Sequence, residues 1–542
     1  MHTLCRRKSS RTSVLLLLQQ FRHHGTIYSL SSGFGKAGVA VIRVSGPQTS
    51  TALKSLCKSD IPKPRTVVLK KLFDPESSEL IDRGLVLWFP SPHSFTGEDV
   101  CEFHVHGGSA VISAVLHALG NIQGLEPAAP GEFTKRSFHN GKLDLTEVEG
   151  LGALIHAETE AQRRQAVRQM EGDLSRLYND WRLRLLKCVA NVEAYIDFSE
   201  DDNIEEGVLD EVQVNVQKLK KEIVNHLSDN RRGERLRTGA HVVIVGPPNV
   251  GKSSLLNHLC QRPAAIISPT AGTTRDVVET ALNIGGFPVL LSDTAGLRET
   301  EDVVEREGIL RALNRAKQAD LTIVVLDAPS LWKRMEGEDF SMITLLKEQL
   351  TDIYGTNEND TTRQSQNTQN QSTSLTQDGQ PFQNLDHQCI GLNAVSDTHE
   401  TCHNLHEEEE PFAEKIIVVN KMDLLTQPLD VRRLDLERLT VCPLSCTTGE
   451  GMEELVERIS SSMKQICGNP LAGNPSLTHA RYRTHLKNCV EALEKYQDLQ
   501  NRDLVLAARA LRSAIRQIGK ITGAVSSEAI LDVIFRDFCI GK

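Results

Sequence analysis

The first stretch whose residue types and spacing could do chemistry is GPPNVGKS. In it Gly246, Gly251, Lys252 and Ser253 have the spacing G-x-x-x-x-G-K-S. Glycines at these places let successive backbone N–H groups converge on phosphate oxygens. The lysine ammonium can reach the outer phosphates, and the serine hydroxyl can ligate Mg²⁺. The segment therefore predicts a loop that binds a nucleoside triphosphate, with contacts from Asn249, Val250, Gly251, Lys252, Ser253 and Ser254.

A second motif, D-x-x-G, ends the strand-like run LLSDTAG. We expect Asp293 to hold Mg²⁺ through water and Gly296 to turn toward the γ-phosphate, with Thr294 and Ala295 between them against the nucleotide. The next residue is Leu297, at the place where Ras-like GTPases carry a glutamine that orients the attacking water. Because leucine cannot hydrogen-bond to water, other groups must complete hydrolysis.

Two later motifs predict recognition of guanine. In KIIVVNKMD, Asn420, Lys421 and Asp423 form N-K-x-D, whose carboxylate accepts hydrogen bonds from guanine N1–H and its 2-amino group. Adenine would leave that acceptor unpaired, so the site should reject ATP. In LSCTTGEG, Ser445 and Cys446 lie in a loop expected to close over the base. Four motifs in this order are typical of translation-factor-like GTPases.

The elements that must position these residues form one predicted unit, a Ras-like P-loop GTPase domain at 238–465. Each motif follows a run of β-branched and apolar residues, and parallel strands bring such loops to one edge of a sheet. The pattern predicts a strand at Val242–Val245 and a helix at Ser253–Leu259. An acidic segment rich in Asn and Gln, at about 355–410, predicts a disordered surface insert within this domain.

The flanking regions predict two further domains. Strand patterns in GVAVIRVSG and RGLVLWFP, with a helix at Ser109–Gly120, indicate an α+β domain at 26–143. GFGKAG resembles a dinucleotide fingerprint, but a strand pattern follows it, so we expect a tight turn. Helical periodicity in 144–237 and 466–542 predicts one discontinuous helical domain, into which the GTPase domain is inserted.

Composition and charge bear on the partners and the cellular location of the protein. The net charge is −10, but residues 351–410 contain eleven acidic residues and one basic residue, which accounts for the whole imbalance. Global charge therefore neither supports nor excludes an RNA partner. The chain contains no run of eighteen apolar residues, so we expect no membrane span. Residues 1–25 contain five Arg or Lys and no acid, which predicts a mitochondrial transit peptide; a secretory signal and a disordered N-terminus are the alternatives.

Near its end the sequence reads FCIGK, which places Cys539 where a prenylation signal has its cysteine. Lys542 in the last place argues against that interpretation. The thiol is then either catalytic or structural. Nearby Arg536 and Lys542 would favour a reactive thiolate.

The segments GPPNVGKSSLL, AGTTRD, DTAGLRETEDVVEREGI and FCIGK together resemble the bacterial tRNA-modification GTPase family MnmE, also called TrmE. SFTGEDVCEFHVHGG and PGEFTKRSFHNGKLDLTEVEG extend the resemblance through the N-terminal region, and the transit-like start suggests a mitochondrial counterpart. The resemblance implies a homodimer that acts with an FAD-dependent MnmG-type partner on C5 of the wobble uridine of mitochondrial tRNA, in the matrix. The added group would be taurinomethyl or carboxymethylaminomethyl.

The resemblance also implies residue roles. A 5-formyl-tetrahydrofolate-type one-carbon donor would bind at Arg43, Glu102, Lys142 and Lys542. Ser253 and Thr274 would ligate Mg²⁺, and K⁺ would activate GTP hydrolysis from a site of Asn249, Ser268, Thr270 and Thr273. Glu305 would position the attacking water, and Cys539 would act near the folate. The alternative function is a mitochondrial ribosome-assembly GTPase without modification chemistry.

Overall fold

The computed structural model describes residues 25–198, 207–247, 249–261, 279–293, 319–335, 414–425, 440–471, 475–525, 531, 534–536, 538 and 541. These residues form two compact units. The first contains described residues within Met1–Thr238 and Cys467–Lys542, and the second those within Gly239–Gly285 and Val289–Ile466. The predicted transit peptide (residues 1–24 of it) and the 355–410 insert lie outside the described residues. No helix in the described ranges is long and apolar enough to cross a membrane.

The N-terminal part of the first unit is built on a six-stranded sheet of order β3-β4-β5-β2-β1-β6. Its strands are β1 (Thr26–Leu30), β2 (Ala37–Ser45), β3 (Val68–Phe73), β4 (Leu80–Phe89), β5 (Val100–Gly107) and β6 (Leu125–Pro127). Neighbouring strands are antiparallel except β1 and β6, which run parallel. GFGKAG covers the end of the loop between β1 and β2 and the first two residues of β2, and it opens no helix, as predicted.

Alternation along the strands gives this sheet two different faces. Ile42 and Val44 of β2 and Phe103 of β5 are buried with the helices α1 (Thr49–Cys57) and α2 (Ser109–Gly120). Because successive side chains point to opposite faces, Arg43 and Glu102 lie on the face away from that core. The helix predicted at Ser109–Gly120 is confirmed at both ends.

Helices make up the rest of the first unit. They are α3 (Glu132–His139), α4 (Leu145–Ile155), α5 (Glu160–Met170), α6 (Asp173–Phe198), α7 (Val208–Leu227), α8 (Arg232–Thr238), α12 (Ala480–Leu499) and α13 (Leu504–Thr522). Apolar residues from α6, α7, α12 and α13 share one core, which includes Trp181, Tyr482 and Leu511. The prediction of a helical domain assembled from two separate stretches of sequence is therefore confirmed.

Two capping boxes fix the starts of α4 and α5. The Asp144 side chain accepts a hydrogen bond from the Glu147 backbone, and the Glu147 carboxylate accepts one in return. Thr159 and Gln162 form the same reciprocal pair before α5. Each box satisfies N–H groups that have no partner inside the helix, and such a cap contributes about 1 kcal/mol.

The second unit contains a six-stranded sheet of order β12-β11-β10-β7-β9-β8. Its elements are β7 (Ala240–Val245), α9 (Lys252–Cys260), β8 (Glu279–Ile284), β9 (Phe287–Asp293), β10 (Leu321–Asp327), α10 (Ala328–Met335), β11 (Glu414–Asn420), β12 (Thr440–Pro443) and α11 (Met452–Cys467). Strands β12, β11, β10, β7 and β9 are parallel. This is the doubly wound α/β architecture predicted for the GTPase domain, so the predicted fold class is confirmed throughout.

Candidate nucleotide and cofactor sites

In the parallel sheet, the predicted nucleotide-binding residues lie at or just after the carboxyl ends of the strands. Asp327 at the end of β10 pairs with Asn420 at the end of β11. Asp293 at the end of β9 pairs with Ile244, one residue before β7 ends and the phosphate-binding loop begins. Ligands of such sheets bind outside the carboxyl ends of the strands. The loops therefore converge where a nucleotide can lie across them.

Two glycines shape the phosphate-binding loop. Gly246 has φ +150°, and a side-chain carbon there would collide with the carbonyl oxygen of Val325. Gly251 has φ +103° and forms the N-cap of α9, where a side chain would collide with Asn420. The close backbone approach therefore requires glycine at both places. It leaves the N-terminal N–H groups of α9 available to anionic oxygens.

Lys252 begins α9 and folds back over this loop. Its ammonium donates hydrogen bonds to the carbonyl oxygens of Gly246 and Pro247, both 2.8 Å away. Asn249 is exposed, with φ +63°, while Val250 is buried. Ser253 and Ser254 are exposed in the first turn of α9. This donor set suits phosphate oxygens, and the Ser253 hydroxyl is a suitable ligand for Mg²⁺.

The base-recognition residues are joined to the phosphate-binding loop by one side chain. Asn420 donates from Nδ2 to the carbonyl oxygen of Val250 (2.8 Å) and accepts at Oδ1 from the Cys446 backbone N–H (3.1 Å). The Ser445 hydroxyl donates to Asp423 Oδ1 at 2.6 Å. It also accepts from the backbone N–H groups of the two residues that follow Cys446. Asp423 is thus oriented by a bond that leaves its other oxygen for a base.

Two residues near this loop have no counterpart in the sequence predictions. His258 of α9 donates from Nε2 to the carbonyl oxygen of Cys446 at 2.5 Å. Asp327 pairs with Lys421 at 3.0 Å. Burial would raise the pKa of Asp327, but hydrogen bonds from Ser330 and the Lys421 ammonium bring it below its ordinary value. Asp327 could have been found from the sequence, because it lies at the end of a strand. Nothing in the sequence indicates that His258 contacts residue 446.

Several predicted residues lie outside the described part of the chain. They are Thr294, Ala295, Gly296, the magnesium residue Thr274, the potassium residues Ser268, Thr270 and Thr273, the water-positioning residue Glu305, and Cys539 and Lys542 near the end. For Asp293 only the backbone is described, as the last residue of β9. Their assigned roles remain predictions.

The polar face of the N-terminal sheet brings together Arg43 and Glu102. They are opposite each other in the β2–β5 register, and the guanidinium contacts Glu102 Oε1 at 2.8 and 2.9 Å. The rings of Phe95 and Phe133 lie 5.3 and 5.7 Å from the guanidinium carbon. His104, two residues along β5, has Nε2 3.3 Å from Glu102 Oε2. The carboxylate is therefore fixed from both oxygens and remains partly exposed.

This charged pair suits the polar edge of a pterin, because a carboxylate accepts from amino and ring N–H groups. Lys142 is exposed, and its side chain lies beside Gly97, two residues after Phe95. The predicted residues Arg43, Glu102 and Lys142 therefore lie on elements that meet on this side of the unit. Within the described part of the chain, Lys142 forms neither an ion pair nor a hydrogen bond with Arg43 or Glu102.

The end of the chain returns to the same sheet. The Ser31 hydroxyl, just after β1, donates to the carbonyl oxygen of Gly541 at 2.8 Å. In the β1–β2 register Ser29 pairs with Arg43. Leu531 and Phe538 pack into a small apolar cluster with Leu145 and other residues around the start of α4. The described residues on either side of Cys539, which are Phe538 and Gly541, thus both contact other parts of the first unit.

Comparison with known proteins finds matches to both parts of the first unit and to nearly the whole chain. A family model described as the MnmE helical domain matches residues 145–539, and one described as the GTP-binding protein TrmE N-terminus matches residues 26–142. The chain is 52% identical over 523 residues to the mitochondrial 5-taurinomethyluridine tRNA synthase subunit GTPB3 of Danio rerio, covering 95% of this chain and 93% of that relative. Identity to the Homo sapiens protein of the same name is 47% over 518 residues, with the same shares covered.

A bacterial relative extends the comparison. The tRNA modification GTPase MnmE of Parvibaculum lavamentivorans is 42% identical over 519 residues, covering 95% of this chain and all of the relative. The predicted mitochondrial location is confirmed by the GTPB3 relatives, which are mitochondrial proteins. The guanine-nucleotide motifs lie at the carboxyl ends of the strands, and family models match both the N-terminal and the helical domain. The chain therefore belongs to the MnmE (TrmE) family of tRNA-modification GTPases.

Proposed function

We propose that this protein uses GTP hydrolysis to drive modification of C5 of the wobble uridine in mitochondrial tRNAs, in the matrix. The added group is taurinomethyl or carboxymethylaminomethyl. The observation that carries the proposal is the hydrogen bond between Ser31 and Gly541. It brings Gly541 to the sheet that presents Arg43 and Glu102, which supports a second chemical site on the polypeptide that also carries the GTPase domain.

In the GTPase half, Lys252 and the N–H groups at the start of α9 bind the phosphates of GTP. Ser253 and Thr274 hold Mg²⁺, which neutralises phosphate charge. Asn249, with Ser268, Thr270 and Thr273, would hold K⁺, which would supply the positive charge that an arginine finger supplies elsewhere. Glu305 positions the attacking water in the absence of a glutamine at Leu297. Asp423 accepts from guanine and excludes adenine.

In the modification half, Glu102 accepts hydrogen bonds from the pterin edge of a 5-formyl-tetrahydrofolate-type donor, while Arg43 holds the carboxylate in place. Lys142 and Lys542 pair with the folate carbonyl and carboxylate groups. The folate supplies the one-carbon unit. Cys539 lies three residues before Lys542 in the sequence, and its thiolate is the group we assign to covalent chemistry there.

The active assembly is a homodimer that works with an FAD-dependent MnmG-type partner and mitochondrial tRNA, without a membrane anchor. An N-terminal transit peptide directs import. The relatives' names support this assignment, because GTPB3 is described as a subunit of a 5-taurinomethyluridine tRNA synthase.

Nucleoside mass spectrometry of mitochondrial tRNA tests the proposal. Cells that lack this protein are compared with cells that regain wild type, Lys252→Ala or Cys539→Ser. We expect the wobble-uridine adduct to vanish without the protein and to return only with wild type. An adduct that persists without the protein overturns the modification assignment and favours a ribosome-assembly GTPase. Restoration by Cys539→Ser removes the thiol from the chemistry and leaves the rest of the assignment standing.

A further inference from the structure

A cavity of about 710 Å³ lies within the first unit, and none of the residues predicted to bind GTP or folate lines it. Its walls come from α4, α5, the end of α8 and the residues that precede α12. Pockets of a few hundred to a thousand Å³ are the size that encloses a small organic molecule. The cavity is therefore large enough for a ligand of several fused or linked rings.

Small residues form part of the walls contributed by α4 and α5. Gly152 and Ala153 on α4, Ala157 after it, and Ala166 on α5 face the cavity with no more than a methyl group each. Gln162, Gln165 and Gln169 of α5 line the same cavity with longer polar side chains. Beside them the small residues leave a slot, and a planar ring fills a slot with more dispersion contact than a branched chain does. Ile534 adds an apolar contact from the end of the chain. These residues favour a flat apolar body.

The charged side chains around the cavity carry a net positive charge. Glu149 is buried and accepts from Arg481 at 3.0 and 3.1 Å, and from the Tyr482 hydroxyl, so this carboxylate and this guanidinium cancel. Arg237, near the end of α8, also lines the cavity, is exposed, and forms no ion pair with any residue that the structure describes. His479 adds no charge near pH 7, because burial first, and then Arg237 and Arg481, lower its pKa to about 3.

Polar atoms on the same wall also lack partners. Thr478 Oγ1 and His479 Nε2 are buried without a hydrogen-bond partner among the described residues, although both residues line the cavity. Buried polar groups are nearly always paired with protein, water or ligand. An occupant that brings acceptor atoms to this wall would provide the partners after a small side-chain shift.

We infer that this cavity binds an aromatic monoanion, with its rings between the small residues of α4 and α5 and its anionic group on Arg237. The site lies apart from the chemistry of GTP and folate. It adjoins Thr238, the last residue of the first unit before the chain enters the second.

A matched pair of fluorescent probes tests the inference on the full chain. 8-Anilinonaphthalene-1-sulfonate is an aromatic monoanion, and N-phenyl-1-naphthylamine is the same ring system without the charge. We expect one sulfonate per chain to bind, at least about tenfold more tightly than the neutral amine, since a charge-assisted hydrogen bond is worth at least that factor. Arg237→Gln should remove this difference and Arg237→Lys should restore most of it. Arg232→Gln, on the same helix but off the cavity, should behave as wild type.

Filling the slot gives an independent result. Ala153→Phe should abolish stoichiometric binding of both probes, and Ala157→Leu replaces it if circular dichroism shows that the first variant misfolds. Binding that is equal for the two probes, or unchanged in Arg237→Gln, overturns the role of the charge. Binding that survives in a folded slot-filling variant shows that the probes bind elsewhere and overturns the site.

Discussion

The side-chain amide of Asn420 donates a hydrogen bond to the backbone carbonyl of Val250, 2.8 Å away and 170 residues earlier in the chain. Its oxygen accepts from the Cys446 N–H. Asn420 is buried, so both bonds are shielded from water. One side chain thus ties the phosphate-binding loop to the loop that closes over the base, and neither loop can shift independently of the other.

Asn420→Ala should therefore weaken GTP binding although the residue need not touch GTP. The substitution leaves the Val250 carbonyl and the Cys446 N–H without partners, at about 1–3 kcal/mol for each buried group. We expect the dissociation constant for a fluorescent GTP analogue to rise roughly 10- to 100-fold. Asn257→Ala, an exposed asparagine on α9, should leave it unchanged. An unaltered affinity in Asn420→Ala would show that the loops hold their positions without this link.

Ser445→Ala should reduce discrimination between bases. The Ser445 hydroxyl holds Asp423 at 2.6 Å, and without it the carboxylate can rotate away from the guanine 2-amino group. We expect GTP binding to weaken at least about tenfold, as for loss of one hydrogen bond to a charged group. Binding of ITP, which lacks that amino group, should weaken less. Competition titrations measure the ratio, with Thr447→Ala as the exposed control; a constant GTP-to-ITP ratio contradicts the role.

Glu102→Gln should weaken folate binding with little change in the fold. The substitution keeps the size of the side chain but removes the charge that pairs with Arg43 and accepts from a pterin. Isothermal titration with 5-formyl-tetrahydrofolate should show at least a tenfold loss of affinity, because the bonds concerned are charge-assisted. Glu79→Gln, on an exposed turn of the same sheet, is the control. Full retention of folate binding would place the cofactor away from this pair.

Acid should destabilise the helical core through His226. Burial lowers the pKa of His226 to about 4, and Tyr178 lies against its Nε2 at 3.1 Å. Between its ordinary pKa of about 6.5 and pH 4, the unfolded chain gains a proton that the folded chain does not. The contribution of neutral His226 to the free energy of unfolding is fully present above pH 6.5 and is lost progressively as the pH falls from 6.5 to 4. The loss reaches about 2 kcal/mol at pH 5.

Urea unfolding followed by far-ultraviolet circular dichroism at pH 7.5 and pH 5 measures the effect. The shift in midpoint between the two pH values should be smaller in His226→Gln than in wild type. The exposed His93→Gln should keep the wild-type shift. Equal shifts in all three proteins would assign the acid sensitivity to other groups.

Elements set by local patterns could be predicted from the sequence. The helix at Ser109–Gly120 has its predicted bounds, and the helix predicted at Ser253–Leu259 begins one residue earlier and ends one residue later. Both have helical periodicity, and glycine marks their boundaries. The strand before each nucleotide-binding motif could be predicted equally well, because β-branched runs there end at polar residues.

Contacts made across long sequence separations could not be predicted. The bond from His258 to the Cys446 carbonyl spans 188 residues, and the Tyr482–Glu149 contact spans 333. In each case the local sequence indicates only a helix residue. The partner is fixed by packing and register, as it is for Arg43 and Glu102, which face each other because β2 and β5 are aligned in that register.

The contact between Ser31 and Gly541 sets an order of events during synthesis. The two residues are 510 positions apart, and the sheet that contains β1 emerges from the ribosome long before residue 541. Domains generally fold as they emerge, with N-terminal ones first, so the GTPase can be complete while this contact has not yet formed. A translation product that ends early would hydrolyse GTP and still lack the closing segment. The contact between the two segments therefore forms only after translation has passed residue 541.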